Sequence, residues 1–283
     1  LKMVVQADAE AVLETARVFP QHQSALTLLN TRLQEPGVTE CRWLDLGCGK
    51  GQIISQLDTN LTPFTRAKIS YVGFDLNFDY TRTAGRVAHD LGFRSHSFHN
   101  GHLAQFDGIV PTGTFDFITC TNTVHELQPG AFAGLILRSI LRLAPHGELY
   151  VYDMEFLLSP ELGALPWSGV QAAGILNEIF LTLGITLDVQ PSVWQHTNAR
   201  GWSVVIRRDH VVSTNEQITA RFADIVSRME HAIDALLVSR LTESNTVLKT
   251  YYEYGMSTAS ERASMLRALY EFWAVSHAME LRR

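Results

Sequence analysis

Apolar positions along this chain fall into two textures. As far as about residue 208, short runs rich in β-branched and aromatic residues alternate with helix-length segments, the pattern of a parallel sheet covered on both faces. Seven runs read as strands: Arg42 to Leu46, Ile69 to Phe74, Ser95 to His99, Phe115 to Thr119, Glu148 to Tyr152, Thr186 to Gln190 and Trp202 to Arg207. Helical segments separate the first six. Only Pro191 to Gly201 joins the last two, too short for a covered parallel crossover of about a dozen residues or more, so an antiparallel hairpin is expected there. Ahead of the sheet a helical lead runs from about Asp8 to Leu33. It is interrupted near Pro20, which removes a backbone donor, and ends at Glu35-Pro36-Gly37.

After Arg208 no strand pattern appears. Ser213-Thr214-Asn215-Glu216 has the form of a capping box, with the serine hydroxyl reaching a first-turn amide and the glutamate reaching back. Ile218, Phe222, Ile225, Met229, Ala232 and Leu236 then recur at alternating spacings of four and three, which is one stripe of a helix. Gly255 marks its end, and Thr258-Ala259-Ser260-Glu261 is a second capping box before a helix bearing Leu266, Leu269, Trp273 and His277. The architecture expected is therefore α/β: an N-terminal helical segment (residues 1–40), a sheet domain (41–210) and a helical C-terminal appendage (211–283). The appendage stripes are expected to pack on the parent domain or on a sister subunit, as a homodimer or partner-domain surface.

The 283 residues are 46% hydrophobic and 18% charged, enough for a packed core. A formal net charge of -6 disfavours polyanionic partners, so nucleic acid is an unlikely substrate. No apolar stretch approaches the roughly 20 residues that cross a bilayer, and the amino end does not read as a signal peptide. A soluble, cytoplasmic protein is expected. Cys41, Cys48 and Cys120 show no paired metal spacing, and their odd number does not suggest a disulfide framework.

Trp43-Leu44-Asp45-Leu46-Gly47-Cys48-Gly49-Lys50-Gly51 is a strand running into close-set glycines and then a helix near Gln52. Glycines there permit positive φ and let a ligand approach the backbone. The spacing is Gly-x-Gly-x-Gly, one residue shorter than the dinucleotide fingerprint, and Asp45 precedes it. A carboxylate beside the loop argues against a bound phosphate and for a cationic or amine-bearing ligand. Gly51 stands where a P-loop requires Ser or Thr after Lys50, which argues against nucleotide triphosphate hydrolysis. The next strand ends in Asp75, an acid placed to accept hydrogen bonds from a ribose diol. A positively charged nucleoside without phosphates describes S-adenosylmethionine.

Over about residues 40 to 208 the sequence resembles the class I S-adenosylmethionine-dependent methyltransferases. The residues that carry the resemblance are Asp45 to Gly51, Asp75, Phe115 to Ile118 with Thr121-Asn122, and Leu143 to Leu149. It implies a Rossmann-like seven-stranded sheet with the last strand antiparallel, and S-adenosyl-L-methionine as cofactor. It also implies that Asp45 lies near the methionine amino group, Gly47, Cys48 and Gly49 against the cofactor, and Asp75 with Leu76 at the ribose. Thr121 and Asn122 would border the transferred methyl. At the third strand the family often supplies an acid to adenine, whereas this sequence offers Asn100, followed by Gly101.

Methyl transfer is an in-line displacement, so the protein aligns the acceptor and, where the nucleophile needs it, removes a proton. His125 and Glu126 follow the fourth strand at the carboxyl edge, where α/β sheets bind ligands. His125 is the candidate base, with Glu126 orienting its ring or touching the acceptor. Asp153 and Trp167 are weaker candidates for substrate contact, with Pro160 to Trp167 as a cover over the acceptor and Ser159 as an N-cap. His96, His99 and His102 repeat at intervals of three, but positions 96 and 99 face opposite sides of a strand, so no metal is expected. The function expected is methyl transfer to a small-molecule O, N or C nucleophile. The alternatives are an S-adenosylmethionine-binding sensor or scaffold working through the helical tail, or a methyltransferase of protein or RNA.

Overall fold

The structure is a computed structural model, and it describes residues 20–111, 113–156, 163–185, 189–196 and 199–280. Seven strands form one sheet: β1 (Cys41–Leu46), β2 (Ile69–Asp75), β3 (Ser95–Asn100), β4 (Phe115–Thr121), β5 (Leu143–Met154), β6 (Ser192–His196) and β7 (Ala199–Arg207). Their order is β3-β2-β1-β4-β5-β7-β6, which leaves β3 and β6 as the edges. Every pairing is parallel except those of β7, which runs antiparallel to both β5 and β6.

The expected hairpin forms, but its first strand is displaced. β6 occupies Ser192–His196 rather than Thr186 to Gln190, of which 186–188 lie outside the described residues. Two local constraints account for the shift. Pro191 has no amide to give to a ladder. The amide of Val189 donates to the side chain of Asn177 at 2.7 Å, so that stretch is spent on a helix rather than on a strand.

A buried carboxyl pins the middle of the sheet. Asp45 on β1 is 1% exposed and accepts from the Tyr71 hydroxyl on β2 and the Thr119 hydroxyl on β4, both at 2.7 Å. The Thr119 oxygen in turn accepts from Trp43 Nε1 at 2.8 Å. Burial raises the Asp45 acid from its ordinary value to about 6, against the lowering effect of its two hydroxyl donors.

Helix α1 (Pro20–Gln34) and helix α2 (Phe78–Leu91) contribute to a core around Trp43, Tyr71, Phe117 and Tyr150. The larger core involves α3 (Ala131–Leu141) and α4 (Gly169–Thr182), and it continues into α5 (Asn215–Tyr254) and α6 (Ala259–Glu280). The helical tail therefore shares its apolar interior with the sheet. α5 begins one residue later than the sequence suggests, with Thr214 as N-cap and Gln217 as its reciprocal partner. The Ser213 carbonyl is instead held by Arg208 at 2.9 Å.

The stripe of α5 also moves. Ile218, Ile225 and Met229 are buried as expected, but Ile233 and Leu237 replace Ala232 and Leu236 as the buried positions. A straight helix turns 3.6 residues per repeat, so a spacing of alternating four and three drifts off the contact face. On α6 the expected stripe faces outward, with Leu266, Leu269 and Trp273 exposed, while Ala268, Ala274, Val275 and Ala278 are buried. Three of these four are alanines, whose small side chains permit close packing. Arg240 of α5 spans the hairpin with a two-pronged bond to Glu271, at 2.5 and 2.9 Å.

The sheet makes a titration prediction. A raised acid favours the folded state below its unfolded value of 3.8, and that stability is lost as pH rises towards about 6. Asp45→Asn has no such titration, so the native chain should lose about 3 kcal/mol relative to it between pH about 4 and 6, read from paired melting curves. Curves that stay parallel across this window contradict the assignment. Asp45→Ala, which strands two buried hydroxyls, should cost about 2–4 kcal/mol.

Candidate functional site

The carboxyl ends of β1, β2, β4 and β5 meet at one edge of the sheet, where open α/β sheets hold ligands. At β1 the chain enters the glycine loop with Gly47, Gly49 and Gly51 at φ of 76°, 53° and 87°, a region that L side chains rarely adopt. The loop is fastened to the end of β2 by three amides. Gly47 and Cys48 donate to the Phe74 carbonyl at 2.8 and 3.1 Å, and Gly49 donates to the Asp75 carboxyl at 3.0 Å. The other Asp75 oxygen accepts from Asn77 at 2.8 Å. Asp75 is half-buried, and its acid is raised by burial in spite of these amides.

The helix after the loop, Gln52–Ser55, has only four residues and offers little of the positive helix end that a phosphate needs. Burial pushes the Cys48 thiol well above its ordinary range, so it is an unreactive wall of the loop.

A second loop follows β4 and rests on the first. A Cβ placed on Gly47 would stand 2.3 Å from Thr123 Oγ1, so glycine is required by contact as well as by φ. Asn122 has φ 52°, the one positive value among the described residues other than glycine. Its amide donates to the Tyr152 carbonyl at 2.9 Å, while its side-chain Oδ1 is buried with no partner in the protein. A buried acceptor left in this condition is costly, and at the rim of the glycine loop it suits a ligand carrying N–H groups.

Beyond Asn122 the turn Val124–Glu126 places His125 against β5. Its Nδ1 lies 2.5 Å from Asp153 Oδ1, and its own amide donates to Asp153 Oδ2 at 2.8 Å. Met154 adds an amide to the same carboxyl at 2.7 Å. Two backbone amides and the imidazole converge on this fully buried carboxyl, and with Nδ1 facing it, Nε2 is the ring nitrogen directed away from Asp153. His125 itself is 4% exposed.

Several expectations change on this geometry. Asp153, read as a substrate contact, has no exposure and holds His125 instead, a role the sequence had offered to Glu126. Glu126 is exposed, adjacent in the chain but pointing off the buried side. Asp45 is 1% exposed, with a hydroxyl from each neighbouring strand on its oxygens, so it lies enclosed within the sheet rather than open to the methionine amino group. Trp167 is 1% exposed and gives its carbonyl to Trp202 Nε1 at 2.7 Å, so it belongs to the core. Asn100 pairs with Thr81 and donates to the Asp75 carbonyl at 3.1 Å, which uses its amide to tie β3 to β2. Gly101, beside it, donates to the same carbonyl at 3.3 Å. Thr121 ends β4, half-buried, and its carbonyl accepts from Thr123 at 2.9 Å. Leu76 is 63% exposed beside Asp75.

Of the expected cover, residues 160–162 lie outside the described residues, as does the expected N-cap Ser159; α4 is capped by Ser168 and Gln171. Two surface clefts of about 540 and 550 Å³ lie elsewhere, one under the start of α5 and one at the tip of the α5–α6 hairpin. Among the described residues no group of three His, Cys, Asp or Glu could hold a metal ion. Nor is any described helix long and apolar enough to cross a membrane.

Tyr71, Thr119 and Thr123 were not foreseen as part of this assembly. Strand parity offered a signal for the first two, since Asp45 shares a face with Trp43: Thr119 is its register partner on β4, and Tyr71 is the partner of Trp43 on β2.

A family described as a methyltransferase domain matches residues 38–176. Among solved structures, magnesium protoporphyrin IX methyltransferase from Synechocystis PCC 6803, with bound S-adenosylhomocysteine, is 13% identical with a TM-score of 0.51, covering 72% of this chain and 94% of that one. The CurJ carbon methyltransferase is 16% identical with a TM-score of 0.50, covering 66% of this chain and 54% of that one. At such identities the likeness is one of fold. No curated protein sequence matches. Residues 38–176 thus form a methyltransferase domain, in a sheet with the fold of the S-adenosylmethionine-dependent methyltransferases, and S-adenosylmethionine is its methyl donor.

Proposed function

We propose that this methyltransferase acts on a small-molecule acceptor, with His125 as the base and Asp153 as the group that orients it. The observation that carries the reading is the His125–Asp153 pair at the carboxyl edge, one turn beyond the loop that rests on the glycines. The protein's residues fit the cofactor. The bare backbone of Gly47 and Gly49 suits close approach, the spare lone pairs of Asp75 suit a ribose diol, and exposed Leu76 offers an apolar plate to adenine. The partnerless Asn122 oxygen suits the methionine ammonium.

When bound, S-adenosylmethionine supplies a methyl group on a sulfonium, which leaves as a neutral thioether when the C–S bond breaks. His125 Nε2 would take the proton that the acceptor sheds on receiving this methyl group. Asp153 fixes the tautomer that leaves Nε2 able to do so and steadies the imidazolium that forms. Asp45 acts at one remove, by keeping the ends of β1, β2 and β4 level.

The net charge of -6 supports a small acceptor over nucleic acid. It also fits a cytoplasmic enzyme. Residues 41–210 are read as the catalytic domain and 211–283 as the layer that packs on it. The outward Leu266, Leu269 and Trp273 supply an apolar face for a homodimer, which sedimentation at working concentration checks.

Two sets of variants test the reading. With S-adenosylhomocysteine release followed over a panel of hydroxyl, amine and carbon acid acceptors, His125→Ala and Asp153→Asn should each lose about 100-fold or more in kcat and keep their cofactor affinity. Turnover left intact in His125→Ala removes the base. By titration calorimetry with S-adenosylhomocysteine, Asp75→Asn should weaken binding about tenfold, and Gly47→Ala, which meets Thr123, should abolish most of it. Native affinity in both would displace the cofactor from this edge.

A further inference from the structure

A single peptide group joins the helical tail to the loop of His125. In the segment between β5 and α4, the Ala164 carbonyl accepts from the Tyr270 hydroxyl at 3.0 Å. On the opposite side of that same peptide, the Leu165 amide donates to the His125 carbonyl at 2.7 Å. A peptide unit is planar and stiff, so its oxygen and its N–H cannot be moved independently. Both residues are buried, which strengthens the two bonds by excluding water.

His125 is therefore gripped at both backbone ends. Asp153 takes its amide and its ring, and Leu165 holds its carbonyl. With both peptide groups fixed, the direction of the Cα–Cβ bond is fixed, and with it the line along which the imidazole can point. Tyr270 reaches this arrangement from α6, more than one hundred residues along the chain. Its own position is secured by its neighbour Glu271, which takes both prongs of Arg240. The Arg240 guanidinium also lies 5.2 Å over the ring of Trp167, so the segment from Ala164 to Trp167 is held by the hairpin at two points.

We infer that Tyr270 is a positioning residue for methyl transfer: its hydroxyl fixes the Ala164–Leu165 peptide, which fixes the backbone of His125 and so the aim of its imidazole. The inference extends the proposed function and rests on His125 as the base. It gives the helical tail a part in the reaction that needs no contact with cofactor or acceptor. Tyr270 acts on the reacting atoms only through His125.

The test reads the imidazole directly, so that it does not depend on knowing the acceptor. Full-length protein, isotope-labelled and saturated with S-adenosylhomocysteine, is followed by NMR at the His125 Nδ1–H and the Leu165 amide. Tyr270→Phe keeps the ring and removes the hydroxyl. Exchange of both protons with solvent should become about fivefold faster, the effect of losing roughly one hydrogen bond, while affinity for S-adenosylhomocysteine is unchanged. Arg267→Ala, at an exposed position of the same helix, should leave both signals as they are. If Tyr270→Phe lowers the melting temperature but the His125 proton is unmoved, the hydroxyl serves packing alone and the inference falls. Equal acceleration by Arg267→Ala overturns it too, because the effect would then be a general loosening of the tail. Failure of the base assignment shows elsewhere, as full turnover by His125→Ala, whatever the exchange rates report.

Discussion

A carboxyl taken out of water must find hydrogen-bond donors, and Asp45 finds its two in the strands on either side of its own. That requirement holds β1, β2 and β4 together from within. Each of these strands ends in a part of the proposed site: the glycine loop, Asp75, and the turn through Asn122 to His125. A slip of any one strand would break a buried hydroxyl–carboxyl bond and also misplace the loop at its end. The acid is raised by this burial, yet its place in the site is one of registration, because it is too enclosed to meet a ligand.

The sheet was readable because its signals are local. β-branched runs, the glycine spacing and the short connection before Trp202 mark strands, loop and hairpin without reference to distant residues. The displaced β6 shows the limit of such reading. Thr186 to Gln190 has strand texture, but Asn177 of α4, about a dozen residues earlier, takes the backbone of Val189. The proposed site was legible to the same degree. His125 was visible from its place after a strand, whereas its partner required knowing that β4 and β5 are neighbours. Adjacent Glu126 was the nearer acid in sequence, and Asp153 is the nearer one in space.

The tail shows why stripe arithmetic misleads on long helices. Large apolar residues on α6 marked a packing face for the parent domain or a sister subunit; they face outward, and the small residues lie inside and allow α5 and α6 to approach closely. What the close approach delivers is a tyrosine hydroxyl next to the segment that walls His125. Core packing and site geometry are thus joined through one continuous apolar interior, in which Ile218 to Leu237 of α5 lie with the inner residues of the sheet.

The edge strand β3 is short and carries Ser95, His96, Ser97, His99 and Asn100. An unpaired strand edge is a template on which another chain can add itself, and a long apolar edge invites that addition. Five polar side chains in six residues make this edge a poor template. Of the three imidazoles spaced at intervals of three, His96 and His99 lie on this edge, and their polarity adds to its resistance to fibre-like growth.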